Sequence, residues 1–230
     1  KARRHARRAS RRALALSVAA TAAAATATLL LTGGGASGPS SASAAIIRHV
    51  RAELTAPSGL ILHESATVTL PDGSSSPFEL WEQTGGTGVY RVIKWGNEAS
   101  LSDTKNEIYD PSRNTVTISP LPPAIHQLEV SKGGDPAAEL KRMVESGQAT
   151  ATPTTYNGIP TYKLSVNSSG DTSLNGTAYV ARSDYLPLEI DSTSGKVVFS
   201  AYEYLPATPA NDALLAVTSA HPGAKVVNQP

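Results

Sequence analysis

Acidic side chains at strand positions are the first candidates for chemistry in this sequence. Two carboxylates held close together can act as the acid and the base of a glycosidase-type hydrolysis. The alternative is that these side chains lie on the solvated faces of strands and supply negative charge, and we favour this second interpretation. The strand carboxylates are Glu64, Glu79, Glu82, Glu189, Asp191 and Glu203.

The histidines and cysteines offer no further catalytic constellation. The histidines after the N-terminal region are His49, His63, His126 and His221, and none of them pairs at the i, i+4 spacing of a helical zinc site. The chain has no cysteine, which excludes disulfides, thiol catalysis and cysteine metal sites. Glycine motifs of a nucleophile elbow, a dinucleotide fold or a phosphate loop are also missing. The sequence therefore predicts a protein that is not an enzyme and that uses no metal or cofactor.

The N-terminal residues have the order of a secretion signal. Seven basic residues lie within 1–12, an uncharged stretch of apolar and small residues follows at 13–31, and 37–44 is small and polar. This order predicts a signal peptide over 1–44 that is cleaved after Ala44, and Ser10-Arg11-Arg12 hints at the twin-arginine route. The alternative is that the apolar stretch, close to the roughly 20 residues of a spanning helix, is retained as a membrane anchor.

The charge of the chain changes once this signal is set aside. The full chain has a formal net charge of +1, with 20 basic and 19 acidic residues. Because seven of the basic residues precede Ala13 and no acidic residue lies before residue 45, the remainder has 13 basic and 19 acidic residues and a net charge of −6. An acidic domain lacks the basic, aromatic surface of a nucleic-acid binder, so we expect no nucleic-acid partner. We expect an exported protein of the periplasm or the outer face of the cytoplasmic membrane.

Alternating apolar and polar residues predict strands through most of the region from 45 to 230. We expect about ten strands, at 60–70, 78–83, 89–95, 100–109, 115–119, 148–156, 161–167, 177–182, 186–191 and 196–205. Helices are expected at 46–54, after Asp135-Pro136, and after Thr208-Pro209, where Pro suits a first helical position. The predicted fold class is mainly β (α+β): a half-open antiparallel β-barrel with a helical lid and with N- and C-terminal helices.

Several short motifs follow one another in a recognisable order over roughly residues 45–227. The most telling pair is Tyr185-Leu186-Pro187-Leu188 followed by the Phe199 to Pro206 strand. The other motifs are His63-Glu64-Ser65, Glu79-Leu80-Trp81, Ile108-Tyr109-Asp110-Pro111, Asn114-Thr115-Val116 and Asn157 to Leu164. This order resembles the LolA-like family of outer-membrane lipoprotein carriers. The resemblance extends to the N-terminal domain of RseB/MucB-type envelope-stress regulators, which share that fold and bind an anti-sigma factor.

This resemblance implies that residues 45–230 form a lipid-binding domain that holds an acyl chain or a lipoprotein in an apolar concave cavity, as a carrier or a sensor. Each buried CH₂ group contributes about 0.8 kcal/mol, so apolar walls alone could hold a chain of a dozen carbons. Leu140 and Met143 would lie on the lid. The expected cavity walls are Leu60, Leu62, Val68, Phe78, Leu80, Val92, Leu164, Leu188, Ile190, Val197 and Phe199.

Two other functions stay open. The chain could be an envelope-stress regulator that binds a membrane-anchored anti-sigma factor, an interpretation that gains if the N-terminal segment is retained as an anchor. It could also be a hydrolase, which would need two carboxylates within reach of each other on the concave face.

Overall fold

A computed structural model describes residues 40–55, 57–121, 135–167 and 175–230. The predicted signal peptide up to residue 39, His126 and the predicted turn at 168–171 lie outside these residues. The strands are β1 (Leu60–Thr69), β2 (Ser75–Gln83), β3 (Tyr90–Lys94), β4 (Asn97–Leu101), β5 (Lys105–Asp110), β6 (Thr115–Pro120), β7 (Thr150–Tyr156), β8 (Ile159–Val166), β9 (Gly176–Ala181), β10 (Pro187–Ser192), β11 (Gly195–Pro206) and β12 (Lys225–Asn228). The helices are α1 (Ser41–Leu54), α2 (Ala137–Glu145), α3 (Pro209–Asp212), a 3₁₀ turn (Ala213–Leu215) and α4 (Val217–Ala220).

All of these strands join one sheet in the order β12-β6-β5-β4-β3-β2-β1-β11-β10-β9-β8-β7. Every pairing is antiparallel except β12 with β6, which is parallel. The two end strands of the order do not pair with each other, so the sheet is not closed into a barrel. This confirms the predicted mainly β, half-open fold, with twelve described strands where about ten were expected and one parallel pair.

One predicted strand is wrong in detail. Residues 100–109 form the end of β4, a tight turn and most of β5. The turn closes when the backbone N–H of Ser102 donates to the carbonyl oxygen of Lys105 at 2.9 Å, and the Ser102 hydroxyl bonds the same oxygen at 3.3 Å. Serine side chains stabilise such turns by local hydrogen bonds. In the sequence, this turn cannot be distinguished from a polar strand.

The helices cover opposite faces of the sheet in its two halves. We call the face that bears Leu62, Leu80 and Leu164 the lid face, and the opposite face, which bears His63 and Trp81, the back face. Helices α1 and α2 pack on the lid face over β1 and β7–β11, where they share one apolar core with the sheet. The C-terminal segment from the 3₁₀ turn through α4 packs on the back face over β2–β5. No helix among the described residues is long and apolar enough to span a membrane.

Helix α1 begins before the predicted cleavage point. The Ser40 hydroxyl caps the helix by accepting the backbone N–H of Ser43 at 3.2 Å. The Ser43 side chain is buried and its hydroxyl accepts the backbone N–H of Ala151 in β7 at 2.7 Å. Cleavage after Ala44 stays a prediction, and it would remove both hydrogen bonds together with the first turn of α1.

Candidate functional site

The side chains predicted to line a cavity occupy the lid face. Cross-strand partners in a sheet share a face, and Leu62 pairs with Glu82, Phe78 with Ala66, and Leu80 with Val92. Eight of the thirteen predicted residues are buried and five are half-buried. The buried ones are Leu62, Phe78, Leu80, Leu140, Met143, Leu164, Ile190 and Phe199. The half-buried ones are Leu60, Val68, Val92, Leu188 and Val197.

One cross-strand row on the lid face leads from the core to the surface. Register places Glu64 beside Leu80, Leu80 beside Val92, Val92 beside Ala99, and Ala99 beside Ile108. Leu80 is 2% exposed, Val92 is half-buried and Ile108 is 48% exposed. The four strand spacings from β1 to β5 amount to about 19 Å. The lid face therefore presents an apolar track that begins beside the core and opens to solvent.

Helix α2 lies over the inner end of this face. Asp135 stabilises the first turn by accepting the backbone N–H of Ala137 at 2.7 Å, and it forms an ion pair with Lys141 at 2.8 Å. At the other end, the Arg51 guanidinium of α1 donates to the carbonyl oxygen of Val144 at 2.6 Å, where a helix favours positive charge. The apolar stripe of α2 faces the sheet, since Leu140 and Met143 are 0% exposed.

The space directly beneath α2 is filled with side chains. Leu140, Met143, Leu164 and Ile190 belong to one core cluster and are each 0% exposed. Three pockets among the described residues lie at the margins of this core, with volumes of 210, 200 and 170 Å³. Each is smaller than the roughly 300 Å³ at which sites for small organic ligands begin. A long chain could enter beneath α2 only if the helix moved.

These pockets touch five of the predicted wall residues. Leu62 lines the 210 Å³ pocket, at the α1 and β2 end of the core. Val68 and Val197 line the 200 Å³ pocket beside the start of α2. Leu188 and Phe199 line the 170 Å³ pocket between β10 and β11.

A group of ionisable side chains lies inside the lid face, contrary to expectation. Glu64 is 0% exposed, and neither of its carboxylate oxygens has a hydrogen-bond partner in the described part of the chain. Burial raises the pKa of Glu64 well above its usual value, and the nearby charge of Asp135 raises it further. Burial also raises the pKa of Glu82. The prediction that the strand carboxylates lie on solvated faces is therefore wrong for Glu64, which sits between Leu62 and Ala66 on the apolar side of β1. It is also wrong for Glu189, which is 4% exposed.

The ammonium of Lys141 also belongs to this group. Burial alone would lower the pKa of Lys141, but the neighbouring carboxylate of Asp135 outweighs it, and the pKa is raised. The hydroxyls of Tyr202 and Tyr204 lie 3.4 Å apart in the same region, and burial raises the pKa of both. Although Glu64 and Asp135 are close, Glu64 is sealed from solvent, so this pair cannot reach a substrate in the present arrangement.

Of the other strand carboxylates, Glu79, Glu189 and Glu203 lie on the back face with hydrogen-bonding partners, and Asp191 is exposed. The His63 ring lies between Glu203, 2.9 Å from Nδ1, and Glu79, 3.2 Å from Nε2, and it stacks on Trp81. The His63 ring therefore links β1 to β2 and β11. Glu189 pairs with Lys196 at 2.8 Å and accepts the Tyr156 hydroxyl.

The C-terminal segment is held to the back face by a second group of buried charges. The carboxylate of Glu98 accepts Arg91 Nε at 2.7 Å and contacts His221 Nε2 at 2.8 Å. The Arg91 guanidinium lies over the Trp81 ring at 4.5 Å, and the His221 ring stacks on Tyr109. These contacts hold the segment on the sheet together with Val217, which is 0% exposed. In the described residues no three histidine or acidic side chains could hold a metal ion.

No family model and no curated protein matches the sequence. Similar solved structures include LprF from Mycobacterium bovis, at 17% identity over 75% of this chain and 97% of that one with a TM-score of 0.42. MucB is similar at 19% identity over 79% of this chain, which spans 66% of the length of MucB, with a TM-score of 0.41. An uncharacterized conserved protein from Thermus thermophilus is similar at 12% identity over 82% of this chain and 99% of that one, with a TM-score of 0.41.

A LolA superfamily protein from Nitrosomonas europaea is also similar in structure, at 10% identity over 73% of this chain and 95% of that one, with a TM-score of 0.27. MucB and a LolA superfamily protein are thus among the structural neighbours. At these identities and TM-scores, function has to be argued from the residues of this chain.

Proposed function

We propose that this chain is an exported cell-envelope protein that binds an acyl chain of a lipid or lipoprotein on its lid face, as a carrier or a sensor, without catalysing a reaction. The row from Leu80 through Val92 and Ala99 to Ile108 supports this proposal, since it joins the core to the surface on one apolar face. An exposed isoleucine at the outer end of such a row is a place at which a chain can begin to bury apolar surface.

The filled core restricts how the chain would bind. An acyl chain would first lie along the row beyond α2, and burial of further CH₂ groups would require α2 to lift from Leu164 and Ile190. A dozen buried CH₂ groups contribute about 10 kcal/mol at about 0.8 kcal/mol each. Exposing the apolar side of α2 opposes this gain, because each fully buried Leu or Met contributes about 1.5–3 kcal/mol. The two quantities are of similar size, so displacement of α2 by a long acyl chain is energetically accessible.

The experiment compares one substitution on the two faces of the sheet. Ile108 on the lid face is 48% exposed and Ile159 on the back face is 44% exposed, so Ile108→Asp and Ile159→Asp are a matched pair. We expect Ile108→Asp to weaken equilibrium binding of a fluorescent fatty acid by roughly thirtyfold, the equivalent of about 2 kcal/mol of lost apolar burial. Ile159→Asp should bind like the unaltered protein. Equal binding by all three proteins would refute the lid face as the site.

The open edges of the sheet favour a second candidate function, binding of a membrane-anchored anti-sigma factor. Within the described parts of the chain, strands β7 and β12 each pair on one side only, and an extended segment of a partner can add to such an edge. Part of the β7 edge is already occupied, because the Ala151 N–H donates to Ser43. If this second function is correct, Ile108→Asp will leave retention of a partner from envelope extracts unchanged, even where it weakens fatty-acid binding. Loss of both together would favour one shared site on the lid face.

A further inference from the structure

The 210 Å³ pocket on the lid face combines an apolar wall with acidic groups. It lies where α1 ends, beside the ends of β1 and β2, and it is open to solvent. Leu54 and Leu62 form its apolar wall, and Glu82 and Lys141 contribute charged groups. Thr84 and Gly85 complete the lining. Its volume of 210 Å³ is below that of sites for drug-sized ligands, so it suits only a short chain.

Only some of the polar groups of this pocket have a hydrogen-bond or ion-pair partner among the described residues. The Lys141 ammonium forms an ion pair with Asp135 at 2.8 Å, and the Thr84 hydroxyl bonds the carbonyl oxygens of Pro57 and Leu60. The Glu82 carboxylate forms no hydrogen bond or ion pair with another described residue. Its pKa is raised by burial first and by the charge of Asp135 second, so its negative charge is poorly compensated. The hydrogen-bond acceptor still available to a ligand is therefore the carboxylate of Glu82.

A buried carboxyl group borders the pocket without lining it. Glu64 is 0% exposed, and register places it diagonally across from Glu82, because Leu62 pairs with Glu82 and Glu64 with Leu80. Burial raises the pKa of Glu64 well above its usual value, so this group keeps its proton and adds no negative charge. The two remaining carboxylates, of Asp135 and Glu82, share the single ammonium of Lys141.

We propose that this pocket binds a primary ammonium group on a short apolar stem, with the ammonium against Glu82 and the stem against Leu54 and Leu62. Lys141 shows that the surroundings already stabilise one such cation, since Asp135 keeps its ammonium charged despite burial. An anionic ligand would face the uncompensated Glu82. A divalent metal is disfavoured because no three acidic or histidine side chains among the described residues are arranged to hold one. The proposal does not depend on acyl binding, because a short stem fits the pocket without the rest of the lid face.

The test compares three probes that share a six-carbon chain. We expect n-hexylammonium to shift the backbone amide NMR signals of Thr84, Gly85 and Lys141 saturably, with n-hexanol and hexanoate binding at least tenfold more weakly. Equal binding of hexanol would show that the pocket is merely apolar and would overturn the proposal. Tighter binding of hexanoate would show that Lys141 dominates, and it would overturn the proposal as well. These comparisons use the unaltered protein, so they do not depend on the folding of a variant.

A matched pair of variants then identifies the acceptor. Glu82→Gln preserves the shape of the side chain and should weaken hexylammonium binding at least tenfold. Glu145→Gln removes one exposed charge from α2 and should leave hexylammonium binding unchanged. Equal weakening in both variants would mean that net charge, and not the pocket, attracts the probe, and the proposal would fail.

Two biological sources could supply this ammonium: a phospholipid ethanolamine headgroup or a lysine side chain of a partner protein. Vesicles of phosphatidylethanolamine, compared with phosphatidylcholine of the same acyl composition, test the first source. A blocked Gly-Lys-Gly peptide, compared with its norleucine analogue, tests the second. Competition of either amine with hexylammonium supports the proposal and identifies the source. If fatty acids bind the lid face while no amine binds here, this inference fails and the proposed acyl function stands.

Discussion

Replacement of Glu64 by Gln should change how the stability of the protein depends on pH. Glu64 is 0% exposed, with no partner for its carboxylate in the described residues, and burial raises its pKa well above 4.5. The folded protein therefore keeps the Glu64 proton at pH values at which the unfolded chain has lost it. Folding is most favoured by this group below pH 4.5, and that contribution is lost as pH rises towards the raised folded pKa.

The expected magnitude follows from one proton. Between pH 4.5 and the folded pKa, the folded state binds up to one more proton than the unfolded state, so Glu64 lowers the free energy of unfolding by about 1.4 kcal/mol per pH unit. The amide that Glu64→Gln introduces does not titrate, so this slope disappears. The variant should gain stability relative to the unaltered protein by up to about 1.4 kcal/mol for each unit of rising pH.

Urea unfolding at pH 5, 6 and 7 measures this difference directly, with m-values compared to show that the extent of unfolding is unchanged. Other groups titrate in both proteins, so the difference between them isolates Glu64. Glu145→Gln is the control, because Glu145 is exposed on α2, and it should show no such trend. A stability difference that is constant across the three pH values would refute the argument that Glu64 is protonated in the folded protein.

Three further predictions concern the layers on either side of the sheet. Glu98→Ala should destabilise the protein by about 3–5 kcal/mol in urea unfolding, because it leaves the buried guanidinium of Arg91 without its carboxylate; a loss under about 1 kcal/mol would mean that the pair is not buried in solution. Leu140→Ala should cost about 2–5 kcal/mol, since it leaves a cavity under α2, and a negligible loss would indicate that α2 does not stay on the core. A chain that starts at Ala45 should be about 1–3 kcal/mol less stable than one that starts at Ser40, because it lacks the Ser40 cap and the Ser43–Ala151 hydrogen bond. Equal melting curves for the two chains would contradict this role of the first turn of α1.

Local patterns predicted the elements better than their long-range contacts. The alternation of β1 and the Asp135-Pro136 start of α2 follow from side chains within a few residues of each other. The split between β4 and β5 was missed because a serine-based turn resembles a polar strand. The parallel pairing of β12 with β6 joins residues about 110 positions apart, so no local pattern indicates it.

Glu64 shows where such reasoning fails for the site. Side chains alternate along a strand, so Glu64 shares the apolar side of β1 with Leu62, Ala66 and Val68. Acidic residues are nevertheless expected to face water. The groups that surround it, Asp135 and Lys141, are supplied by the start of α2, about 70 residues later in the chain. Their arrival depends on tertiary packing, which periodicity cannot reveal.

Native mass spectrometry of the protein isolated from the cell envelope tests whether the lid face binds an acyl chain. We expect a noncovalent adduct with the mass of an acyl lipid or lipoprotein, present with Ile159→Asp and strongly reduced with Ile108→Asp. A bare polypeptide mass in all three preparations, together with no binding of an added fatty acid, would contradict acyl binding on the lid face.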